Sequence, residues 1–293
     1  EICACLVGSE MCIRDRTNLH LPNFLKGKLY QGAGKTVCVP GLNCYSCPAA
    51  SGACPIGAFQ AVVGSSKFSF SYYITGFLIL LGVLLGRFIC GFLCPFGWFQ
   101  ELLHKIPTKK FSTKKLKPLR YLKYAVLLVM VFLLPAFLVN DVGMGDPFFC
   151  KYLCPQGVME GAIPLSLANS GIRAALGSLF TWKFGILLAV IVLSVIFYRP
   201  FCKWLCPLGA FYALFNRVSL FQIKVDKNKC VSCGKCAKAC KMDVDVTKAP
   251  NHTECIRCGM CIRTCPTGAV RFRYGFGDGK DKTKAAKKAA EKQ

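Results

Sequence analysis

The sequence predicts a mainly α-helical, multi-pass membrane protein ending in a two-cluster, ferredoxin-like α+β domain. Three observations predict it: long uncharged apolar runs, a doubled C-x2-C-x2-C-x3-C pattern toward the C-terminal end, and a Cys-Pro-x-Gly tetrapeptide that recurs four times. Composition agrees. Of 293 residues, 54% are hydrophobic and only 18% charged, whereas soluble domains carry roughly a quarter charged residues. Disorder would require low hydrophobicity. Twenty-one cysteines in a chain this long point to metal or cluster binding before a small disulfide scaffold. Three histidines are too few for a His-rich metal site or a multi-haem protein.

The first sixteen residues, Glu1–Arg16 (EICACLVGSEMCIRDR), have no helical or strand periodicity that fits the rest of the chain. They read as a non-native leader and are set apart from the fold argument, a frayed genuine terminus being the alternative. That removes Cys3, Cys5 and Cys12 and leaves eighteen cysteines. Residues 17–67 form a Cys-rich segment assigned to the outer face.

Residues 68–217 read as the membrane domain. Phe68–Gly86 is nineteen residues without a charge, Tyr124–Asn140 seventeen, and Phe184–Tyr198 fifteen, the last flanked by Trp182, Lys183 and Arg199. A span needs roughly 17–25 apolar residues. The third run reaches this if Trp182 sits in the interface and the cations snorkel. With flanks, the spans occupy about residues 68–88, 121–140 and 181–199. Buried core helices are the alternative, but the chain lacks the polar residues to wrap them.

Loop charge sets the orientation. Arg87–Lys123 holds nine Lys/Arg and one acid, Asp141–Lys183 three of each, and Arg199–Gln293 twenty Lys/Arg. The first loop and the C-terminal region are therefore expected in the cytoplasm, with Asp141–Lys183 and the region before Phe68 outside. The basic loop KIPTKKFSTKKLKPLRYLK is then expected to contact anionic lipid headgroups rather than nucleic acid, because it lies between two spans with no recognition motif.

Residues 218–274 carry the strongest motif. Cys230-x2-Cys233-x2-Cys236-x3-Cys240 precedes Cys255-x2-Cys258-x2-Cys261-x3-Cys265-Pro266, the spacing of a bacterial two-cluster ferredoxin. Three cysteines at two-residue gaps wrap one cubane, and the fourth reaches the other. Cys230, Cys233, Cys236 and Cys265 are thus expected on one [4Fe–4S] cluster, and Cys255, Cys258, Cys261 and Cys240 on the second. Lys241 stands where the first run would have its Pro. Structural zinc is the alternative, although three thiolates crowd more closely here than in a zinc ribbon. Residues 275–293 form a Lys/Ala-rich basic tail expected to be solvated.

The remaining ten cysteines obey a repeat: CPIG at Cys54, CPFG at Cys94, CPQG at Cys154 and CPLG at Cys206. Cys90, Cys150 and Cys202 stand four residues before three of these; Cys47, Cys44 and Cys38 precede the fourth. Cysteines at i and i+4 share a helix face, the Pro ends the helix after the second ligand, and the Gly permits a close turn. By topology, Cys90, Cys94, Cys202 and Cys206 fall at cytoplasmic span ends and supply one cluster. On the outer side the repeat favours Cys47, Cys54, Cys150 and Cys154, with Cys44 a close rival for Cys47. Disulfides are the alternative for the outer six, inert buried thiols for the inner four. Gly34-Lys35-Thr36 lacks the first Gly of a phosphate loop. No CxxCH occurs, and His20, His104 and His252 lie outside the spans, which argues against haem.

The paired CxxxCP motifs at Cys90/Cys94 and Cys202/Cys206, followed by the Cys230–Cys265 run, resemble the membrane-bound polyferredoxin family of bacteria over roughly Phe68 to Phe272. That family includes the membrane iron–sulfur component serving periplasmic nitrate reductase and the nitrous-oxide-reductase maturation protein. The resemblance implies an electron-transfer component of the bacterial cytoplasmic membrane, with up to four [4Fe–4S] clusters. It also implies redox partner proteins: a cytoplasmic or quinone-pool donor, and an outer-face flavin- or metal-containing partner. A quinone or flavin at a partner interface fits the same role, and relatives commonly carry a further span. An assembly factor that reduces a metal centre in a respiratory partner is the alternative. The extra motif at Cys150/Cys154 and the segment from Cys38 depart from the pattern and favour a wire with an outer terminal. Two clusters at opposite edges of a hydrocarbon core ~30 Å thick would need deeper placement or a bridging group.

Overall fold

The computed structural model describes residues 18, 22, 23, 27–65, 71–140 and 144–275. The proposed leader, nearly all of the basic tail, and residues 68–70 of the first expected span lie outside the described residues. Helix α1 (Pro55–Gly64) is followed by α2 (Tyr72–Leu85), α3 (Phe88–Phe92) and α4 (Pro95–His104). Next come α5 (Leu116–Phe137), α6 (Gly157–Ala168) and α7 (Ser178–Ile196). Short helices α8 (Pro200–Trp204) and α9 (Pro207–Phe215) lead into strand β1 (Phe221–Val225). The chain closes with α10 (Lys235–Ala239), α11 (Met260–Thr264) and β2 (Val270–Tyr274).

Helices α5 and α7, of 22 and 19 residues, are long and apolar enough to cross a membrane. Helix α2 has 14 residues, short of the roughly 17 that a span needs. In α5 the turns widen to π geometry over Leu127–Leu133, just before Pro135. Pro135 has no N–H to give the carbonyl one turn back, and the widened turns absorb that break. Only 28% of the apolar window of α5 and 17% of that of α7 is buried. In α7, Leu187, Val190 and Ser194 face the protein while Leu188 and Val192 are more than half exposed.

One hydrophobic core runs through the molecule. Leu78 of α2, Phe96 of α4, Val131 of α5, Phe201 of α8 and Tyr212 of α9 pack there with Val244, Ile256 and Val270 from the C-terminal part. Strands β1 and β2 pair antiparallel, with Ile223 opposite Phe272. Buried polar links tie this part to the helices. Asn216 donates to the carbonyls of His252 (2.6 Å) and Cys255 (3.0 Å). Lys203 donates to the Lys241 carbonyl at 3.0 Å and lies 3.3 Å from Asp243. Burial pushes the Asp243 carboxyl up, but Thr113 and Lys203 beside it outweigh that and hold it below its usual range.

A chain of four candidate cluster sites

The Cys-Pro-x-Gly repeat has one local geometry. Cys54, Cys94, Cys154 and Cys206 all adopt extended ψ, between 112° and 125°. In the three CxxxCP copies the second cysteine's N–H donates five residues back: Cys94 to Ile89 (3.1 Å), Cys154 to Phe149 (2.9 Å), Cys206 to Phe201 (2.9 Å). The two cysteines therefore do not share one continuous helix face, which corrects the i, i+4 expectation. Cys90 and Cys202 lie within α3 and α8, while Cys94 and Cys206 cap the helix after each. The chain already turns at the second cysteine, and Pro opens the next helix at its first position, where its missing N–H is harmless. The Gly supplies an N–H to the cysteine sulfur. Gly209 donates to Cys206 Sγ at 3.3 Å. Gly57, Gly97 and Gly157 make the same contact with Cys54, Cys94 and Cys154. A side chain at Gly97 would stand 3.0 Å from the Cys90 carbonyl oxygen.

The cysteines gather into four sets. Cys230, Cys233, Cys236 and Cys265 line one small hollow, and Cys240, Cys255, Cys258 and Cys261 line a second. Cys236 and Cys240 stand at the two ends of α10, one in each hollow. Ser232 and Arg257, each just before a middle cysteine, take positive φ (51° and 55°), and Gly234 and Gly259 come after at 71° and 76°. The two runs thus turn alike around their hollows.

Cys90, Cys94, Cys202 and Cys206 form the third set, mutually within electrostatic reach and all buried. Two buried arginines brace it. Arg87 donates to the Cys202 carbonyl (3.2 Å) and pairs with Glu254 (2.8 Å); Arg199 donates to the Cys90 carbonyl (2.6 Å) and pairs with Glu101 (2.6 Å). Lys123 also pairs with Glu254. Burial pushes the Glu254 carboxyl up, yet Arg87 and Lys123 prevail and hold it at about 2.

The fourth set surrounds a cavity of about 560 Å³ lined by Cys38, Cys44, Cys54, Cys150 and Cys154. Cys44, Cys54, Cys150 and Cys154 all lie within electrostatic reach of one another. Cys47 does not line the cavity; it packs behind, against Ala49 and Ala50. Of the two candidates Cys44 and Cys47, Cys44 is the one that lines the cavity, and its backbone N–H donates to Glu160 at 3.0 Å. Burial pushes the Glu160 carboxyl up to about 7. Lys183 donates to the Cys150 carbonyl at 3.0 Å. No disulfide joins any two of the eighteen described cysteines. Among the described residues, no three His, Cys, Asp or Glu side chains crowd around a point as one metal ion requires.

The four sets lie next to one another in a row. Helix α10 runs from Cys236 at the first hollow to Cys240 at the second, and α11 runs from Cys261 at the second to Cys265 at the first. Gly91, between Cys90 and Cys94, packs so closely on the Ile256 carbonyl that a side chain there would fall 2.7 Å from it. The segment Pro40–Asn43 lies between the third and fourth sets. Gly41 lies against Cys94, Leu42 and Asn43 line the cavity, and Tyr212 donates to the Pro40 carbonyl at 3.0 Å. Fully buried, Tyr212 is within electrostatic reach of Cys90 and Cys94 on one side and of Cys54 and Cys38 on the other. The spacing of cysteines gave no sign of Arg87, Arg199, Gln60 or Gln100, although each stands at a fixed offset from a motif cysteine.

Comparison with known proteins matches this division. The 4Fe-4S binding domain family matches residues 52–72, 69–114, 123–163 and 179–228, one segment for each Cys-Pro motif. A second 4Fe-4S binding domain family matches 223–244 and 249–271. An uncharacterized protein of Methanocaldococcus jannaschii is 32% identical over 68% of this chain and 77% of its own length. The putative electron transport protein YccM of Escherichia coli is 28% identical over 58% of this chain and 45% of its own. The ferredoxin-type protein NapH of Haemophilus influenzae is 29% identical over 37% of this chain and 52% of its own. The regulatory protein NosR of Stutzerimonas stutzeri is 28% identical over 55% of this chain and 21% of its own. No solved structure matches. With 4Fe-4S binding domains over most of its length and relatives of these kinds, the chain belongs to the polyferredoxin family of 4Fe-4S binding proteins related to NapH and NosR.

Proposed function

We propose that the protein is a membrane electron wire: four [4Fe–4S] clusters in a row carry electrons between a cytoplasmic or quinone-pool donor and a redox partner at the outer face. The observation that carries this reading is the adjacency of the four cysteine sets, above all the Pro40–Asn43 bridge between the third and fourth. The donor chemistry fits the group. Four cysteines line each hollow of the C-terminal part, and an all-thiolate set of four is the donor set of a [4Fe–4S] cluster. A cubane takes one thiolate per corner and needs them spread around a hollow. Bound clusters would supply one-electron transfer. The chain's own residues do the rest. Cys230, Cys233, Cys236 and Cys265 hold the first cluster, and Cys240, Cys255, Cys258 and Cys261 the second. Cys90, Cys94, Cys202 and Cys206 hold the third; Cys44, Cys54, Cys150 and Cys154 hold the fourth. Buried Arg87 and Arg199 offset the negative charge that the four thiolates of the third site bring, and the apolar core around Cys90, Cys94, Cys202 and Cys206 keeps water from their sulfurs.

The membrane reading rests on exposure. A soluble core helix hides its apolar side chains, but α5 and α7 leave most of theirs outward. Each Leu, Ile or Val left in water forgoes about 1.5–3 kcal/mol, a loss that lipid removes. Trp182, exposed at one end of α7 with its Nε1 on the Tyr152 carbonyl, suits the headgroup level.

Vesicles test this reading. Protein is reconstituted into liposomes holding trapped ferricyanide, and dithionite is added outside. The wire predicts bleaching of the ferricyanide that depends on the protein and stops in Cys90→Ser. Equal rates with and without protein contradict it.

A further inference from the structure

Two buried glutamines repeat the same construction at the third and fourth sites. Gln60 lies six residues after Cys54 and Gln100 six after Cys94. Neither is exposed at all. Gln60 Nε2 donates to Cys150 Sγ at 3.3 Å, and Gln100 Nε2 to Cys202 Sγ at 3.2 Å. Each cysteine belongs to a motif some ninety to a hundred residues further on, so the contact joins the two motifs of its site. The second amide hydrogen of each goes to the carbonyl one turn back: Ile56 for Gln60, Phe96 for Gln100, both at 3.2 Å. Each Oε1 accepts the N–H of the residue just before the cysteine, Phe149 at 3.0 Å and Phe201 at 3.1 Å.

Both amide hydrogens and the carbonyl oxygen of each side chain are thus engaged. The accepted backbone N–H fixes which end of the amide is oxygen. A flip would turn Oε1 toward a sulfur lone pair and leave the Phe N–H facing NH2, at the full penalty of unsatisfied buried groups. The N–H is therefore held on the sulfur rather than drifting there.

We propose that Gln60 and Gln100 are equivalent positioning residues, each locking the first cysteine of the opposite CxxxCP motif and easing reduction of the cluster it ligates through a fixed N–H···S bond. Hydrogen bonds to the sulfurs are among the factors that set cluster potentials, because a donor stabilises the extra negative charge of the reduced state. The inference rests on the four-cluster reading proposed for this protein. Each glutamine acts on its own site, Gln60 on the fourth and Gln100 on the third.

The test is an EPR-monitored redox titration of the full-length protein, with iron counted on the same samples. The wild-type iron count comes first; about eight iron atoms instead of about sixteen overturns the cluster assignment itself, separately from the role of the glutamines. With sixteen in place, Gln100→Leu and Gln60→Leu are each expected to shift one signal, and a different one, about tenfold toward the oxidised state, about 59 mV for one electron. Full iron with every potential unchanged in both variants overturns the proposal. A pulsed-EPR measurement on reduced wild-type protein labelled with [ε-¹⁵N]glutamine needs no variant. Coupling to a side-chain amide nitrogen is expected, and its absence overturns the proposal.

Discussion

Arg87 and Arg199 reach across the third site in opposite directions, Arg87 to the carbonyl of Cys202 and Arg199 to the carbonyl of Cys90. Each stands three residues before the cysteine of its own motif and holds the cysteine of the other. The exchange makes the two motifs one unit, and each arginine brings a carboxylate from elsewhere: Glu254 from the ferredoxin part, Glu101 from α4. The ferredoxin part is thereby docked through the same side chain that braces the cysteines.

Breaking this exchange is costly. Removing one partner of a buried ion pair typically costs about 3–5 kcal/mol. Lys123 remains beside Glu254, so Arg87→Leu is expected near the low end, about 3 kcal/mol. Denaturant unfolding in detergent measures it. In Arg87→Leu/Glu254→Gln the loss is expected to be smaller than the sum of the two single losses, because both substitutions remove the same ion pair. Additive losses would mean that the pair does not couple.

The outer ligand set is tested by two neighbouring serines. Cys44→Ser is expected to lose about four iron atoms, whereas Cys47→Ser retains the full count. The reverse result would restore Cys47 and remove the role assigned to the cavity-lining thiol.

Gly41 tests the bridge between the third and fourth sites. A Cβ there would fall 2.9 Å from Cys94 Cα and 2.9 Å from the Leu93 carbonyl oxygen, both backbone atoms that cannot swing aside. Gly41→Ala is expected to cost about 1–3 kcal/mol through overpacking. It should also slow the trapped-ferricyanide reaction while iron content stays unchanged. An unchanged rate would mean that electrons do not cross at Pro40–Asn43.

Local spacing made most of the cysteine sets readable. The two hollows of the C-terminal part are lined by the cysteines that spacing groups together, because three of each come from one tight loop. Cys44 was not separable from Cys47. The four-residue spacing of the other motifs is absent before Cys54, so only the folded path of residues 38–54 decides which thiol faces the cavity. The arginines and glutamines were hidden for a related reason. Their offsets, three before one motif cysteine and six after another, are visible in RFICGFLCPFGWFQ. Their partners lie about a hundred residues away, where no local rule applies. Loop charges could not show that Pro40–Asn43 packs between the third and fourth sets, because that contact joins residues far apart in the chain.

The central claim is that the Cys-Pro motifs hold clusters in line with those of the ferredoxin part. It is tested most directly by iron and acid-labile sulfide per chain on anaerobically purified protein, beside a Cys90→Ser/Cys202→Ser variant. The account predicts about sixteen iron atoms, falling by about four in the variant. About eight iron atoms in both would contradict it, leaving clusters only in the Cys230–Cys265 part and no wire beyond it.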